Sequence, residues 1–334
     1  MRKLIMVFLL FFITGCGKHE IEDYKIVSGI AIDFQDNNYN LTLEVVKGEK
    51  TDADFKAEIV KSSGESLNMA IKDADAKMTN HPYLSHLGVI IIGKTALEKM
   101  SDILNFLLDS PYIRFNTFII IAKDEASLLF ENDVQNVKSF NIKSSIEKKL
   151  DKSPLKTADF HRIMEVVRND KQALIIPLVD EDLLVSGGAI FDGYEYQFDL
   201  LEDYLDYIEI IDGNFKNSFI KLGEFFPKVE LSKSKKKINL KEIIIDLEIQ
   251  IAFLATKKPD IEEMNQLKKE LIDNLNTTFK NLQNQKLDPL GLMELFYKRY
   301  PVQFLNIQDI KTFYRQIPII LNVTIKVKES GFAK

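Results

Sequence analysis

Between residues 243 and 253 every second residue is apolar: Ile243, Ile245, Leu247, Ile249, Ile251 and Phe253. Asp246, Glu248 and Gln250 stand between them. Side chains at a period of two alternate across a strand, so this pattern demands a long strand with one dry face and one wet face. Something must cover the dry face. Met264, Leu267, Leu271, Leu275, Phe279 and Leu282 follow at helical spacing, which predicts an amphipathic helix from Ile261 to Gln285. The alternation returns near the end, where Ile319, Leu321, Val323, Ile325 and Val327 are interleaved with Asn322, Thr324 and Lys326. One-faced strands and a one-striped helix together make a two-layer α+β unit.

The first half is patterned differently. "HLGVIIIG" and "FNTFIIIAK" are short, nearly continuous apolar runs, as in strands covered on both faces. Helices are expected around them. One runs from Ser66 to Met78, with Leu67, Ala70, Ile71, Ala74 and Met78 on one stripe; another turns Leu97, Met100, Ile103, Leu104 and Leu107 inward. Two strands, Ile26–Ile32 and Tyr39–Val46, flank a polar loop at Asp36-Asn37-Asn38. The second of them sets Leu41, Leu43 and Val45 against Thr42 and Glu44. "DEASLLFE" reads as a helix start with Asp124 as N-cap. A helix is expected at Ala158–Val167, a hairpin turning at Asp192-Gly193, and a second hairpin around "VELSKSKKKINL". The expected architecture is α+β and multi-domain. A signal segment at 1–15 precedes units at 16–182, 183–232 and 233–334, the middle one rich in hairpins.

Of the 334 residues, 46% are hydrophobic and 28% charged, with a net charge of −6. That is a folded globular profile, and its sign argues against a nucleic-acid partner. A single cysteine excludes an internal disulfide and a cysteine metal cluster. Its position is informative. Arg2 and Lys3 precede an apolar run, Leu4 to Ile13, which ends in Ile13-Thr14-Gly15-Cys16. The run is too short to span a bilayer but suits a secretory signal. Its ending resembles a bacterial lipobox, in which the cysteine thiol takes a diacylglyceryl group. Cys16 is the expected lipidation site and the N-terminus after cleavage. A signal peptide with a chance cysteine, or a small buried thiol, is the alternative.

No catalytic set emerges. Gly88 to Thr95 fits the phosphate-loop expression G-x-x-x-x-G-K-[ST], but Val89, Ile90, Ile91 and Ile92 fill its middle. Those residues are a strand, and their amides belong to a sheet rather than a ligand. Thr95 and Glu98 instead have the spacing of a capping box. His81 and His86 are five apart with no third ligand evident, Asp73 and Asp75 cannot face each other on a helix, and Glu181 and Asp182 read as solvated charges. Lys233 to Lys237 carries four lysines around Ser234 and reads as a solvated hairpin turn, with an anionic headgroup contact as the alternative. No enzyme activity, metal or cofactor is expected.

These landmarks, in this order, resemble the Ger(x)C family, the C subunits of bacterial spore germinant receptors. After the lipobox, "EIEDYKIVSGIAIDF" keeps the family pattern at Glu20, Ile21, Asp23, Ile26, Val27, Gly29, Ile30, Ile32 and Asp33, with Ala31 where glycine is common. "HLGVIIIGKTALEK" resembles the strand and turn around His86 and Gly93. "FLLDSPYIR" keeps Arg114, with Asp109 where arginine is usual. "GGAIFDGYEYQFDL" resembles the mid-chain hairpin, and "NQKLDPLGLMELFYKRYP" keeps Gln285, Asp288, Gly291 and Pro301. Tryptophan often precedes the last strand in the family; here Phe313 or Tyr314 takes that place. The resemblance implies three α+β domains and a lipid-anchored, non-enzymatic subunit beside the A and B membrane subunits, outside the cytoplasm at the spore inner membrane. The competing class is a solute-binding lipoprotein of a transporter.

Overall fold

The computed structural model describes residues 24–48, 55–131, 136–150, 158–169, 171–223, 226–255 and 260–329. The expected signal segment and Cys16 lie outside them.

Two sheets organise the chain. The first has nine strands. β1 (Tyr24–Gln35), β2 (Asn38–Gly48) and β3 (Phe55–Gly64) form an antiparallel meander, and the helix α1 (Leu67–Lys77) follows. The β1–β2 turn is tight: Asp36 and Asn37 take φ values of 51° and 59°, the left-handed pair that suits a two-residue hairpin. β4 (His81–Tyr83) pairs with the start of β1. β5 (Val89–Ile92) then pairs parallel with β1, and after α2 (Met100–Asp109), β6 (Phe118–Ala122) pairs parallel with β5. The short helix α3 (Leu128–Glu131), α4 (Lys138–Leu150) and α5 (Phe160–Val167) lead to β7 (Leu174–Val179), parallel to β6. β8 (Val185–Asp192) and β9 (Glu195–Leu201) close the sheet with a hairpin that turns at Gly193-Tyr194, one residue later than expected. The order is β3-β2-β1-β5-β6-β7-β8-β9.

The continuous apolar runs are explained by layers on both faces. Ile90, Ile92, Ile119 and Ile121 pack under α1, α2 and α5. Val89, Ile91 and Ile120 face the opposite way, toward Phe130, Ile142 and Ile146 of α3 and α4. The helix α6 (Glu202–Asp212) continues that second layer and carries it into the second sheet, where Leu205 and Ile208 join the same core as Leu247 and Leu271.

The second sheet runs β10 (Lys216–Phe219), β11 (Lys228–Asn239), β12 (Ile244–Ala255) and β13 (Ile319–Glu329). Ile245, Leu247, Ile249, Ile251 and Phe253 are buried as the alternation requires. Ile243 is not: it sits in the β11–β12 turn at φ 53° and is exposed, so the inward row begins one step later. The helix α7 (Ile261–Asn284) lays Leu267, Leu271, Leu275, Phe279 and Leu282 over this face. Each such burial is worth roughly 1.5–3 kcal/mol. Asp260 and Glu263 close a full capping box at its start. The helices α8 (Leu292–Arg299), α9 (Pro301–Leu305) and α10 (Ile310–Gln316) return the chain to β13, which pairs parallel with β12.

Several elements had no signal strong enough to read. β3 is polar and half-exposed, and α6 follows β9 without a loop. The hairpin β8–β9, which the sequence places in a middle unit at 183–232, pairs with β7 and extends the first sheet. The run Lys233–Lys237 is not a turn but the middle of β11, whose register with β12 passes straight through it. A lysine-rich strand is possible here because Lys233, Lys235 and Lys237 all point out to solvent, opposite the covered face.

Candidate functional site

The phosphate-loop match is structural. Gly88 N–H donates to the Ser28 carbonyl at 2.9 Å and Gly93 N–H to the Ile32 carbonyl at 2.8 Å, so both terminal glycines spend their amides on β1. Lys94 pairs with Asp199 of β9, and its Nζ reaches the Tyr196 hydroxyl at 3.1 Å. The expected Thr95–Glu98 capping box does not form. Residues Lys94–Lys99 are a 3-10 turn capped at Gly93, and Thr95 Oγ1 accepts the Phe34 amide at 3.1 Å instead. Asp75 takes the His81 ring at 2.8 Å, while His86 rests on the Tyr83 ring at 5.5 Å. Asp73 accepts the Ser63 amide and the Lys77 ammonium, whose direct hydrogen bond holds its carboxyl below the usual range. Asp180 binds the Asp182 and Leu184 amides, leaving Glu181 and Asp182 as exposed turn residues. Among the described residues no group of three or more His, Cys, Asp and Glu could hold a metal.

What the sequence does bring together is a cradle for the segment that holds α3 and α4. Asp33, at the end of β1, accepts the Ala126 amide on Oδ1 at 2.9 Å and the Ser127 amide on Oδ2 at 3.0 Å. It therefore does the work expected of Asp124 as N-cap, from more than ninety residues upstream. Burial raises its pKa, and the two amides pull it back. Gly93 is required next to it, since a Cβ there would lie 1.8 Å from Asp33 Oδ1. Gly29 is required one turn of the segment later, where a Cβ would meet Phe130 Cζ at 2.5 Å. Glu44 repeats the device on β2. Its carboxylate accepts the Lys138 and Ser139 amides at 2.6 and 3.0 Å and the Ser28 hydroxyl at 2.8 Å. Thr42 and Glu44 do form the second face of their strand, but both are buried, Glu44 against the first amides of α4. A charged residue in an alternating strand reads as solvent-facing. Only its distant amide partners reveal otherwise.

A second constellation joins the two sheets. The Ala173 amide, just before β7, donates to the Asp288 carbonyl at 3.0 Å, and Gln172 Nε2 donates to the Pro289 carbonyl at 3.0 Å. The Asp288 side chain is buried, accepts the Met293 amide at 2.8 Å and so caps α8. Burial pushes its carboxyl up to about 6, against the pull of the Met293 and Leu292 amides and the Lys236 charge. Lys236 lies on the inward side of β11, 2.6 Å from Asp212 and 2.9 Å from the Leu290 carbonyl. Of the two candidates for the tryptophan place, Tyr314 is the buried one, and Phe313 stacks on Phe296 at 5.7 Å. These groups hold a joint. None is placed as nucleophile and base.

Comparison with known proteins agrees with this picture. Residues 17–181 match the family described as spore germination protein N-terminal domain, and residues 186–331 match the family described as spore germination B3/GerAC like, C-terminal. Spore germination protein KC of Bacillus subtilis (strain 168) is 21% identical over 98% of this chain and 95% of its own. The crystal structure of the GerBC protein shares the fold with a TM-score of 0.60 and 14% identity, covering 90% of this chain and 96% of that one.

Proposed function

The chain belongs to the GerAC-like family of spore germination proteins, and from that premise we propose that it is the lipid-anchored C subunit of a nutrient germinant receptor. It holds and positions membrane subunits of A and B type and has no active site of its own. Diacylglyceryl on Cys16, after loss of residues 1–15, tethers the folded body outside the cytoplasm at the spore inner membrane. The observation that carries this reading is the match of both family domains in order across nearly the whole chain. Two further facts support it. The polar clusters inside the fold are spent on capping and joining, and no helix among the described residues is long and apolar enough to cross a membrane. The acyl chains would then supply the membrane affinity, two chains giving a stable anchor where one is marginal.

The test is co-purification of the chain with the A and B subunits from spores, with Cys16→Ser as the comparison. The proposal requires that deletion of the chain abolish receptor assembly and nutrient-triggered germination, and that Cys16→Ser shift the protein out of the membrane fraction. A receptor that assembles and signals without it removes the case.

A solute-binding lipoprotein is the second reading. It is favoured by an open cleft of about 360 Å³ between α6, β7 and the Pro289-Leu290 turn, lined in part by His161, Arg162 and Asp212. Thermal stabilisation by free amino acids or sugars would support it. Against it, the nine-stranded and four-stranded sheets are not the two similar lobes such proteins close around a solute.

A further inference from the structure

The first sheet has two poles. At one, β1, β5, β6 and β7 end; at the other they begin, at Tyr24, Val89, Phe118 and Leu174. The beginning pole gathers aromatic rings. Tyr24 and Tyr83 lie 5.5 Å apart, and Tyr83 continues to His86. Thr117 donates to the Leu87 carbonyl at 3.0 Å, which fixes the loop of residues 110–117 beside them. That loop buries Ile113 and turns Pro111, Tyr112, Arg114 and Phe115 outward. Tyr112 is 62% exposed and Phe115 54%, and Ile26 of β1 is also exposed at this pole. Phe115 is not loose: it stacks on Phe160 at 5.6 Å and 14°, and its carbonyl accepts the His161 amide. Phe115 is thus held in place while left in solvent, with Tyr112 and Ile26 exposed at the same pole, and a group of large apolar side chains exposed together suits a contact surface.

The occupant follows from where the chain enters. Tyr24 stands at this pole, and seven residues separate it from Cys16. Even fully extended, that tether reaches no more than about 28 Å. Accepting the acylation of Cys16 argued above, this end of the body is held against a bilayer and cannot leave it. We propose that the pole carrying Tyr112, Arg114 and Phe115 is the face that the protein lays on the membrane surface. The aromatic rings enter the headgroup region, where an apolar body with a polar tip is best accommodated, and Arg114 meets lipid phosphate. Because the tether keeps the local lipid concentration high, shallow insertion suffices. Charge plays a small part. Arg162 is engaged with Glu165 and His81 with Asp75, and the exposed Asp109 lies five residues before Arg114 in the chain. Contact at this face is therefore expected to persist in salt that strips a polybasic patch.

The chain contains no tryptophan, so one introduced indole reports only on its own surroundings. The full lipidated protein would be reconstituted into phosphatidylglycerol–phosphatidylethanolamine vesicles as Tyr112→Trp and, separately, Leu184→Trp. Leu184 is 59% exposed in the β7–β8 turn at the opposite pole, so the two sites match in exposure but not in position. The expected result is a blue-shifted emission quenched by brominated acyl chains for Tyr112→Trp, unchanged at high salt, and a water-like, unquenched emission for Leu184→Trp. If the protein floats with vesicles through Cys16 but Tyr112→Trp stays water-like, the face is wrong and the anchor stands. If wild type and Cys16→Ser alike fail to float, anchor and face fall together. A shift that appears only when receptor subunits are added assigns the pole to protein and overturns the lipid assignment.

Discussion

The two sheets of this molecule solve the same burial problem in opposite ways. The first is covered on both faces, so that neighbours such as Ile90 and Ile91 point into different cores and are both fully buried. The second is covered on one face only. Ile251 is buried while Gln250 is exposed beside it, and the edge strand β13 keeps even its inward row half-exposed. On one face of the doubly covered sheet, carboxylates inside the sheet cap the starts of the helices that cover it, which is the work of Asp33 and Glu44. A singly covered sheet can leave its charges in water, as β11 does with three of its four clustered lysines. The lesson is that a charged residue in a strand has no fixed meaning until the number of layers is known.

The largest effects should therefore fall in the doubly covered sheet. Ile91→Ala removes a fully buried side chain from between two parallel strands and should cost about 2–5 kcal/mol in denaturant unfolding. Ile325→Ala, on the half-exposed edge strand, should cost well under half as much. Equal losses would break the comparison, because they would mean that β13 is covered in solution.

The buried carboxylates come next. Asp33→Asn keeps the size of the side chain but turns one acceptor into a donor that faces the Ala126 or Ser127 amide, which should cost about 2–3 kcal/mol. The loss should appear first as faster amide exchange in residues 126–131, before global unfolding. Gly93→Ala should mimic it, since its Cβ would displace the same carboxylate. A variant with normal exchange in that segment would show that the cradle is not what holds it.

Asp288 offers a pH test of the joint. Its folded pKa, about 6, lies above the ordinary value of 3.8, so the folded state holds its proton more tightly than the unfolded chain does. Its stabilising contribution is complete below about pH 4 and is lost as pH rises through 6. The difference is on the order of 2–3 kcal/mol. Asp288→Asn should flatten this part of the stability profile while retaining an acceptor for the Met293 amide. An unchanged profile would place the titration elsewhere.

What the sequence discloses divides along the same line. Alternation found β12 and β13, and helical spacing found α7, because each has one wet side to contrast with a dry one. The all-apolar runs of β5 and β6 announced burial on both faces but not which elements supply it. The start of α3 is legible in "DEASLLFE", but its amides go to Asp33 rather than to Asp124, and α4 is hard to read because its start is capped from Glu44 on a distant strand. β3 was hidden by its own composition: with lysine, glutamate and serine through its length, it resembles a loop until β2 pairs with it. The joint was visible only as family-like residues, Asp288 and Gly291, whose task is tertiary.

The smallest expected effect separates two adjacent residues of one lysine run. Lys236 and Lys237 are neighbours on β11, identical in sequence terms and opposite in direction. Lys236 Nζ reaches inward to Asp212 at 2.6 Å and to the Leu290 carbonyl at 2.9 Å, tying β11 to α6 and to the turn before α8. Lys237 points outward and pairs with Glu248 across the open face. Lys236→Ala leaves a half-buried carboxylate and a carbonyl without their donor and should cost about 1–2 kcal/mol. Lys237→Ala should leave the unfolding midpoint within error, since water and salt replace an exposed partner. Raising the ionic strength should not change that ranking, because the inward pair is shielded by the protein rather than by ions. If the two variants proved equally costly, β11 would have to be covered on both sides, and the contrast between the two sheets would disappear.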